Sequence, residues 1–184
     1  MDMTAAFDAS GPVRLLLLAD THVPTRARAL PAQVWQAVEA ADVVFHAGDW
    51  QVPEVLDELK SRAHRLVGVW GNNDGEELRR RLPEIARVEI NGVRFAMTHE
   101  TGAARGREQR MATAFPEDDV LIFGHSHIPW NTVAGEGTAN PGLRLLNPGS
   151  PTDRRRQPEC TVMTATVQDG RLVDARLVPV DRTP

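Results

Sequence analysis

Val13-Arg-Leu-Leu-Leu-Leu-Ala-Asp-Thr-His22 carries the strongest signal for the fold of this chain. Apart from Arg14, residues 13–19 are apolar, and Gly11-Pro12 interrupts the chain before them. A continuous apolar run bounded by turn residues is typical of a strand buried in a parallel sheet. Asp20 and His22 follow the run directly, so we expect both side chains at the carboxyl end of that strand.

Two later strands end in the same kind of polar fragment. Residues 42–46 form a mainly apolar run that leads to Gly48-Asp49, and residues 65–70 form another that leads to Gly71-Asn72. Helices that begin with proline are predicted between the strands, over residues 31–41 and 53–60. This βαβαβ order predicts a parallel sheet in the first half of the chain.

The second half of the chain reads as short strands with two hairpins. Asn91-Gly92 and Asp169-Gly170 are two-residue turn signals of the type whose central residues need positive φ. They separate strands predicted over residues 85–90 and 93–98, and over residues 160–167 and 172–180. Further strands are predicted over residues 120–123 and 143–146, with helices over residues 75–82 and 108–115.

This order of elements predicts an α/β fold. Parallel strands followed by hairpins favour a four-layer α-β-β-α sandwich of two facing mixed β-sheets, with the helices outside. We expect residues 1–12 to be a flexible tail and residues 13–184 to form a single domain.

The composition limits the classes of protein to which the chain can belong. It has 184 residues, a formal net charge of -4 and a single cysteine, Cys160, which excludes an intramolecular disulfide and suits a reducing compartment. No run approaches the roughly 20 apolar residues that span a bilayer, and the first twelve residues do not resemble a secretory signal. The negative charge argues against a general nucleic-acid coat. We therefore expect a cytoplasmic protein with no membrane partner and no strong nucleic-acid binding.

Six short fragments carry the chemistry. They are Asp20-Thr-His22, Gly48-Asp49, Gly71-Asn72, Thr98-His99, Gly124-His125-Ser126-His127 and Asn147-Pro148-Gly149-Ser150. The first five place two carboxylates, four imidazoles and one carboxamide at strand ends, which is a ligand set for a two-metal hydrolytic site. Without thiolates, the set suits Mn, Fe, Zn, Co or Ni and does not choose among them. His125 and His127 would face the same side if their segment were extended.

In this order, the fragments resemble those of the calcineurin-like metallophosphoesterases, specifically their small bacterial and archaeal phosphodiesterase branch. The resemblance extends from residue 13 to about residue 180. It implies that one metal ion is bound by Asp20, His22 and His127, and the other by Asn72, His99 and His125, with Asp49 bridging the two. The implied cofactor is a pair of divalent ions, with manganese as the first choice, and a hydroxide between them as the nucleophile.

The fragment Gly71-Asn72-Asn73-Asp74 departs from the family pattern. Many members have histidine at the position of Asn73, where it is taken to protonate the leaving group or to steady the transition state. An amide cannot supply that acid, so a contribution of typically about 10²–10⁴-fold would be missing or come from elsewhere. Asn73 could still bind a phosphoryl oxygen. With Asn73 beside it, Asp74 is expected to cap the helix predicted over residues 75–82 rather than to orient a histidine.

The resemblance makes Asn73, Asp74 and His99 the catalytic candidates, and other side chains keep two interpretations. His46 is either a partner that orients a metal ligand or a buried histidine without a role in catalysis. Trp50 and Trp70 either line the pocket, where they could stack on a base or aryl group of the substrate, or pack in the core.

Several arginines could reach a phosphate, because guanidinium groups match phosphate oxygens in a bidentate way. Arg154, Arg155 and Arg156 follow the Asn147-Pro-Gly-Ser150 loop and are candidate substrate contacts alongside Asn73. The alternative is a solvated charge run, which we favour for Arg105 and Arg107.

The sequence thus predicts a metal-dependent phosphodiesterase that hydrolyses small or activated phosphodiesters. A leaving group that departs as a stable anion needs little proton help, so activated diesters should react faster than alkyl monoesters. The alternatives are a phosphomonoesterase on the same site and a non-catalytic scaffold similar to the retromer subunit of this family. All seven expected positions hold residues that can bind metal, which favours the enzyme. The expected partner is a small phosphodiester substrate. Assembly into a homo-oligomer is an open alternative.

Overall fold

The computed structural model describes residues 5–181 of the chain. Within these residues the strands are β1 (Ala5–Phe7), β2 (Val13–Leu18), β3 (Val43–Ala47), β4 (Leu66–Val69), β5 (Ile85–Ile90), β6 (Val93–Thr98), β7 (Val120–Ile122), β8 (Trp130–Val133), β9 (Arg144–Asn147), β10 (Cys160–Gln168) and β11 (Arg171–Val180). The helices are α1 (Ala32–Ala40), α2 (Pro53–Arg62), α3 (Glu76–Arg81) and α4 (Arg107–Ala114). None of the helices in this part of the chain has the length and hydropathy needed to cross a bilayer.

The first sheet contains the three parallel strands that the βαβαβ pattern predicts. Its order is β11-β10-β2-β3-β4, and β10 pairs antiparallel with both β2 and β11. Along β2, Leu15 and Leu17 enter the core between the sheets, whereas Leu16 and Leu18 pack toward the helices. Successive side chains of a strand point to opposite faces, so a strand covered on both faces needs a continuous apolar run.

The second sheet has the order β1-β5-β6-β7-β9-β8. Strands β5 and β6 form the hairpin predicted from Asn91-Gly92, whose φ angles are 45° and 80°. Strands β6, β7 and β9 run parallel to one another. Their carboxyl ends therefore lie along one edge of the sheet, as do those of β2, β3 and β4 in the first sheet.

The two sheets face each other across a shared apolar core. Phe45 of β3 and Phe95 of β6 are almost completely buried there, and their ring centroids lie 5.3 Å apart. Complete burial of such a side chain contributes about 1.5–3 kcal/mol. Val38 of α1 and Leu56 of α2 cover the outer face of the first sheet, and Ala112 of α4 covers that of the second. The predicted α/β fold with two facing mixed sheets is confirmed.

Two strands lie where the sequence analysis predicts none. Residues 5–7, within the predicted flexible tail, form β1 and pair in parallel with β5, so this part of that prediction is wrong; residues 1–4 lie outside the described residues. Strand β8 pairs antiparallel with β9 at the edge of the second sheet. Its four residues are too few for a clear alternation signal, and pairing with a neighbouring strand determines their conformation.

Candidate metal centre

The carboxyl ends of the two sheets meet at one place, and all seven predicted ligands lie there. Backbone and side-chain hydrogen bonds join the ends across the sheets. The Nδ1–H of His99, after β6, donates to the carbonyl oxygen of Ala47 in β3 at 2.7 Å, and the backbone N–H of His125 donates to Asp20 Oδ1 at 3.1 Å. Ser150 Oγ donates to the carbonyl oxygen of Asp20 at 2.7 Å.

Asp20, His22 and His127 form the first group. The two Nε2 atoms of the histidines lie 3.1 Å apart, and His127 Nε2 lies 3.5 Å from Asp20 Oδ1. One ligand atom from each of the three side chains lies within 4.8 Å of the others, and all three residues are buried. A single ion could therefore contact all three.

Asn72, His99 and His125 form the second group. Asn72 Oδ1 lies 3.0 Å from His99 Nε2 and 2.9 Å from His125 Nδ1. Asp49 Oδ2 lies between the groups, 3.5 Å from His22 Nε2 and 3.4 Å from His99 Nε2. Asp20, Asp49 and His99 also lie close enough together to share one ion. Asp49 thus lies between the two groups, and this third cluster combines Asp20 of the first group with His99 of the second.

Five of the seven candidate ligands have left-handed backbone conformations. The φ angles of Asp20, His22, Asp49, His125 and His127 are 55°, 44°, 62°, 68° and 57°. Residues other than glycine rarely adopt this region, which costs of order 1–3 kcal/mol each and tends to occur at functional sites. The expectation for an extended His125–His127 segment is wrong: the two histidines belong to different groups, and His127 is buried whereas His125 is exposed.

Gly48 and Gly71 allow two of the ligand loops to touch. A Cβ on Gly48, whose φ is 89°, would lie 2.7 Å from His99 Nδ1 and 2.8 Å from the backbone nitrogen of Gly71. A Cβ on Gly71 would collide with the backbone and carboxylate of Asp49. Glycine is therefore needed here for close approach and not only for the turn.

Asp74 does not cap the helix, so that prediction is wrong. Helix α3 has Gly75 at its N-cap without a side-chain hydrogen bond. The buried carboxylate of Asp74 instead accepts hydrogen bonds from the backbone N–H groups of Asp49 at 3.0 Å, Gly71 at 2.7 Å and Gln51 at 2.9 Å. It ties the loop after β3 to the loop after β4. Burial raises the pKa of this carboxyl, although the three N–H donors oppose the shift.

Asn73 holds the carboxylate of Asp49. Its backbone N–H donates to Asp49 Oδ1 at 2.9 Å, and its side-chain amide donates to Asp49 Oδ2 at 2.7 Å. The predicted contact with a phosphoryl oxygen would therefore compete with this bond. Asn73 fixes the orientation of the carboxylate that lies between the two groups.

The electrostatics of the first group fit a metal ion. Asp20 Oδ2 is buried and has no hydrogen-bond partner among the described residues, and burial raises the pKa of Asp20 to about 8. Burial also lowers the pKa of His127 to about 4 and that of His22 below its usual range. Neutral imidazole is the form that binds metals, and a cation would compensate the buried carboxylate.

In the second group and the shared Asp49, the pKa shifts have the opposite directions: the histidine pKa is raised and the carboxylate pKa is lowered. Burial opposes the charged form of His99, but its hydrogen bond with Asp49 and the charges of Asp20 and Asp49 raise its pKa to about 9. For Asp49, burial favours a higher pKa, but the charge and hydrogen bond of His99 and the hydrogen bonds of Asn73 outweigh it. The pKa of Asp49 therefore falls well below the usual range. The Nδ1 atoms of His99 and His127 both bond to backbone carbonyl oxygens, which leaves each Nε2 for coordination.

The structure separates the alternatives left open for the two tryptophans and places His46 beside the site. His46 is buried beside the site, with Nε2 3.0 Å from Thr21 Oγ1 and its ring stacked 3.6 Å from that of Trp50, and burial lowers its pKa to about 3. Trp50 is buried in the core and donates to the carbonyl oxygen of Val69 at 2.8 Å. Trp70 is partly exposed and lines a cavity beside Asn72 and His99.

The three arginines of the 154–156 run are exposed and differ in their surroundings. Arg154 Nη1 donates to the carbonyl oxygen of Gln157 at 2.6 Å. The positive charge of Arg155 acts on all three side chains of the first group. It favours a lower pKa for each of them, although burial outweighs this effect for Asp20. Arg107, expected on a solvated face, is instead buried against Phe123 and Trp130.

Some supporting residues carry no signal in the sequence. Gln51 Nε2 lies 2.9 Å from His22 Nδ1, and the backbone oxygen of Asp153 accepts from His127 Nδ1 at 2.6 Å. Arg79 of α3 donates to three backbone carbonyl oxygens of the Asn72 loop, those of Asp74, Asn72 and Gly71. Contacts to backbone atoms do not depend on a recognisable motif, so only the fold reveals them.

Comparison with known proteins shows the family of the chain. Residues 13–170 match the calcineurin-like phosphoesterase superfamily domain, and the chain belongs to this superfamily. A probable metallophosphoesterase of Methanocaldococcus jannaschii is 34% identical over 181 residues, which is 97% of this chain and 87% of that protein. The phosphodiesterase YfcE of Escherichia coli K12 is 28% identical over 156 residues, 75% of this chain and 79% of its own length. The predicted family is confirmed, and the relatives support a phosphoesterase hydrolase.

Solved structures have the same fold. A Thermotoga maritima protein superposes with a TM-score of 0.71 at 30% sequence identity, over 91% of this chain and 99% of its own. Vacuolar protein sorting 29 of Cryptosporidium parvum superposes with a TM-score of 0.73 at 18% identity, over 92% of this chain and 100% of its own. At that identity the second likeness concerns the fold alone.

Proposed function

We propose that this protein is a phosphodiesterase that hydrolyses small or activated phosphodiesters with two divalent metal ions, manganese being the first choice. The observation that carries the proposal is the set of seven candidate metal ligands, six of them gathered around Asp49. Asp20 also has a buried carboxylate oxygen without a hydrogen-bond partner among the described residues. A protein that acted only as an interaction scaffold would not need a complete set. The names of the relatives in archaea and bacteria support the same reaction class.

The residues have separable tasks in this proposal. One ion would be held by Asp20, His22 and His127 and the other by Asn72, His99 and His125, with Asp49 shared. Such a pair of ions supplies an acidified water as nucleophile and charge stabilisation for the phosphoryl oxygens. Asn73 and Asp74 keep the Asp49 loop in one conformation, and the exposed Arg155 attracts the anionic diester to the side of the first group.

No histidine occupies the position that supplies an acid in many family members. The amide of Asn73 is engaged with Asp49 and cannot protonate a leaving oxygen. We therefore expect substrates with stable leaving anions, such as aryl oxides, to be hydrolysed faster than alkyl esters.

The direct test is steady-state hydrolysis of bis(4-nitrophenyl) phosphate and 4-nitrophenyl phosphate by the protein loaded with Mn, Fe, Zn, Co or Ni. The diester should be the better substrate, chelation should abolish turnover, and Asp49→Ala should lower kcat by at least about 100-fold. Asp57→Ala is the matched control, because Asp57 is an exposed carboxylate paired with Arg81 on a helix surface. Activity that survives both Asp49→Ala and chelation would exclude the two-metal proposal.

A further inference from the structure

A cavity of about 210 Å³ opens next to the second group of ligands. Asn72 and His99 form the part of its wall that belongs to the metal centre. The rest of the wall consists of Trp70, Glu84, Thr98 and Glu100. A cavity of about 150 Å³ holds a benzene molecule, so this one has room for a single compact group and not for a long chain.

The position of the cavity follows from the strand ends. Trp70 comes directly after β4 and precedes the Gly71-Asn72 loop, and its backbone N–H donates to the carbonyl oxygen of Pro83, the residue before Glu84. Glu100 follows His99 at the end of β6, and its Oε1 lies 3.9 Å from His125 Nδ1. The cavity thus adjoins the side of the metal centre formed by Asn72, His99 and His125, where one arm of a bound diester has access to it.

The charge of the wall is negative on this side of the centre. Apart from His99, which is a neutral ligand in the proposed site, the ionisable residues of the wall are Glu84 and Glu100, both exposed. Trp70 adds an indole ring to the wall, and the face of such a ring attracts cations. A guanidinium already stacks on this ring: Arg79 lies 4.3 Å from its centroid, although Arg79 is not part of the cavity wall.

The other side of the centre has the opposite charge. Arg155 acts there on Asp20, His22 and His127. The charge of Arg155 thus reaches the first group, whereas two carboxylates line the cavity beside the second group and Arg79 lies outside that wall. A phosphodiester that carries a positive charge on one arm complements both sides, whereas a second anionic group would be repelled by Glu84 and Glu100.

We propose that the Trp70–Glu84–Glu100 cavity selects the substrate by binding an ester arm that bears a compact organic cation, such as a quaternary ammonium group. This inference rests on the proposed function, because it assigns the substrate class of the same site. It places the preference in three side chains outside the metal ligands: a cation–π contact with Trp70 and charge attraction to the two carboxylates.

The test uses symmetrical diesters, so that either arm can enter the cavity. Bis[3-(trimethylammonio)propyl] phosphate, its neutral isostere bis(4,4-dimethylpentyl) phosphate and bis(3-carboxypropyl) phosphate are titrated into the manganese-loaded protein by calorimetry. We expect the cationic diester to bind about tenfold more tightly than the neutral one, and the carboxylate diester to bind most weakly. Binding is measured without turnover, so failure of the proposed hydrolysis is distinguishable from failure of this inference.

Variants of the cavity residues test which side chains cause the preference for the cationic diester. In Glu84→Gln/Glu100→Gln the preference for the cationic diester should fall from about tenfold to about threefold, the part that the Trp70 contact supplies. The control Glu117→Gln/Glu136→Gln removes two exposed carboxylates that precede β7 and β9, away from the strand ends that carry the ligands, and should keep the full preference. Trp70→Leu should weaken binding of the cationic diester about threefold or more, and the neutral one less.

Two results would overturn the inference. The first is equal affinity for the cationic and neutral diesters in the unmodified protein. The second is a cation preference that stays near tenfold in Glu84→Gln/Glu100→Gln, or that falls as much in the control, since either would place it outside the two cavity carboxylates. If the double variant does not fold, the single variants Glu84→Gln and Glu100→Gln provide the same comparison.

Discussion

Asn73 is the side chain that most distinguishes this site from the common family pattern. The resemblance suggests only that an acid is missing there. The structure adds that the amide has a task of its own, because it donates to Asp49 Oδ2 at 2.7 Å. A substitution at this position therefore changes two properties together, the availability of a proton donor and the orientation of Asp49.

Asn73→His should raise turnover of alkyl diesters relative to that of bis(4-nitrophenyl) phosphate. An imidazolium can protonate a poor leaving oxygen, whereas nitrophenolate needs no proton, so the ratio of the two kcat values should rise by at least about tenfold. The measurement is kcat for both substrates at saturating manganese. Asn73→Ala is the matched control, because it loses the bond to Asp49 without adding an acid. An unchanged ratio in Asn73→His would mean that another group already acts as the acid.

Arg79 illustrates a residue that acts through its neighbours. Its Nε donates to the carbonyl oxygen of Asp74 at 2.8 Å and its Nη2 to that of Asn72 at 3.2 Å, while the guanidinium stacks on Trp70. It touches no candidate ligand side chain directly. Its expected effect is on the position of the loop that presents Asn72.

Arg79→Met should weaken binding of the second metal ion by about tenfold, as is typical when a group that supports a ligand is lost. Calorimetric titration with manganese should show the change in one of two binding steps, with the other step unaltered. Arg80→Met is the control, since Arg80 is exposed on the same helix and pairs only with Glu76 among the described contacts. Equal losses in both variants, or losses in both binding steps, would indicate damage to helix α3 instead.

The loops after β3 and β4 touch each other and are held together by hydrogen bonds of Asp74. Strands β3 and β4 are parallel neighbours, so their carboxyl ends lie side by side. The contact between Gly48 and Gly71, together with the bonds of Asp74 to both loops, leaves no space for a side chain on Gly71. The apolar pattern predicts the strands, and their pairing brings the loops into contact.

Gly71→Ala should destabilise the protein and reduce its affinity for metal, because the added methyl group would meet the backbone and carboxylate of Asp49. We expect a loss of at least about 1–3 kcal/mol in the free energy of unfolding, measured by urea denaturation of the metal-free protein. Gly75→Ala is the control: it lies four residues further on, has an ordinary φ of -73°, and a Cβ there would meet nothing within 4 Å. Comparable destabilisation by both substitutions would contradict the close-approach argument.

The candidate metal centre takes its ligands from both sheets of the molecule. Asp20, Asp49 and Asn72 follow strands of the first sheet, and His99 and His125 follow strands of the second. Ions bound between them would link the sheets in the folded state and not in the unfolded chain. Metal binding is therefore expected to stabilise the fold.

Manganese at about 100 times its dissociation constant should add about 2.7 kcal/mol, which for a chain of this size raises Tm by about 5–10 °C. At one fixed manganese concentration, the increase should grow between pH 6 and pH 8. In the metal-free protein, Asp20 and His99 have pKa values raised to about 8 and about 9, so at pH 6 both hold a proton that the ion must displace. Calorimetric melting with and without metal at each pH measures this; a Tm shift that falls as pH rises over this range would contradict the assignment.

The amino-acid sequence determined the strand and helix pattern, the four-layer arrangement and the identity of the clustered side chains. These features follow from local apolar periodicity and from the polar fragments that end each strand, and both can be read along the chain. The tertiary structure alone decided that Asp74 braces two loops, that Asn73 holds Asp49, and that β1 and β8 extend the second sheet. It also decided that Trp70, Glu84 and Glu100 share a cavity. These features depend on contacts between segments far apart in the chain and on left-handed backbone conformations, which the packing of the two sheets imposes.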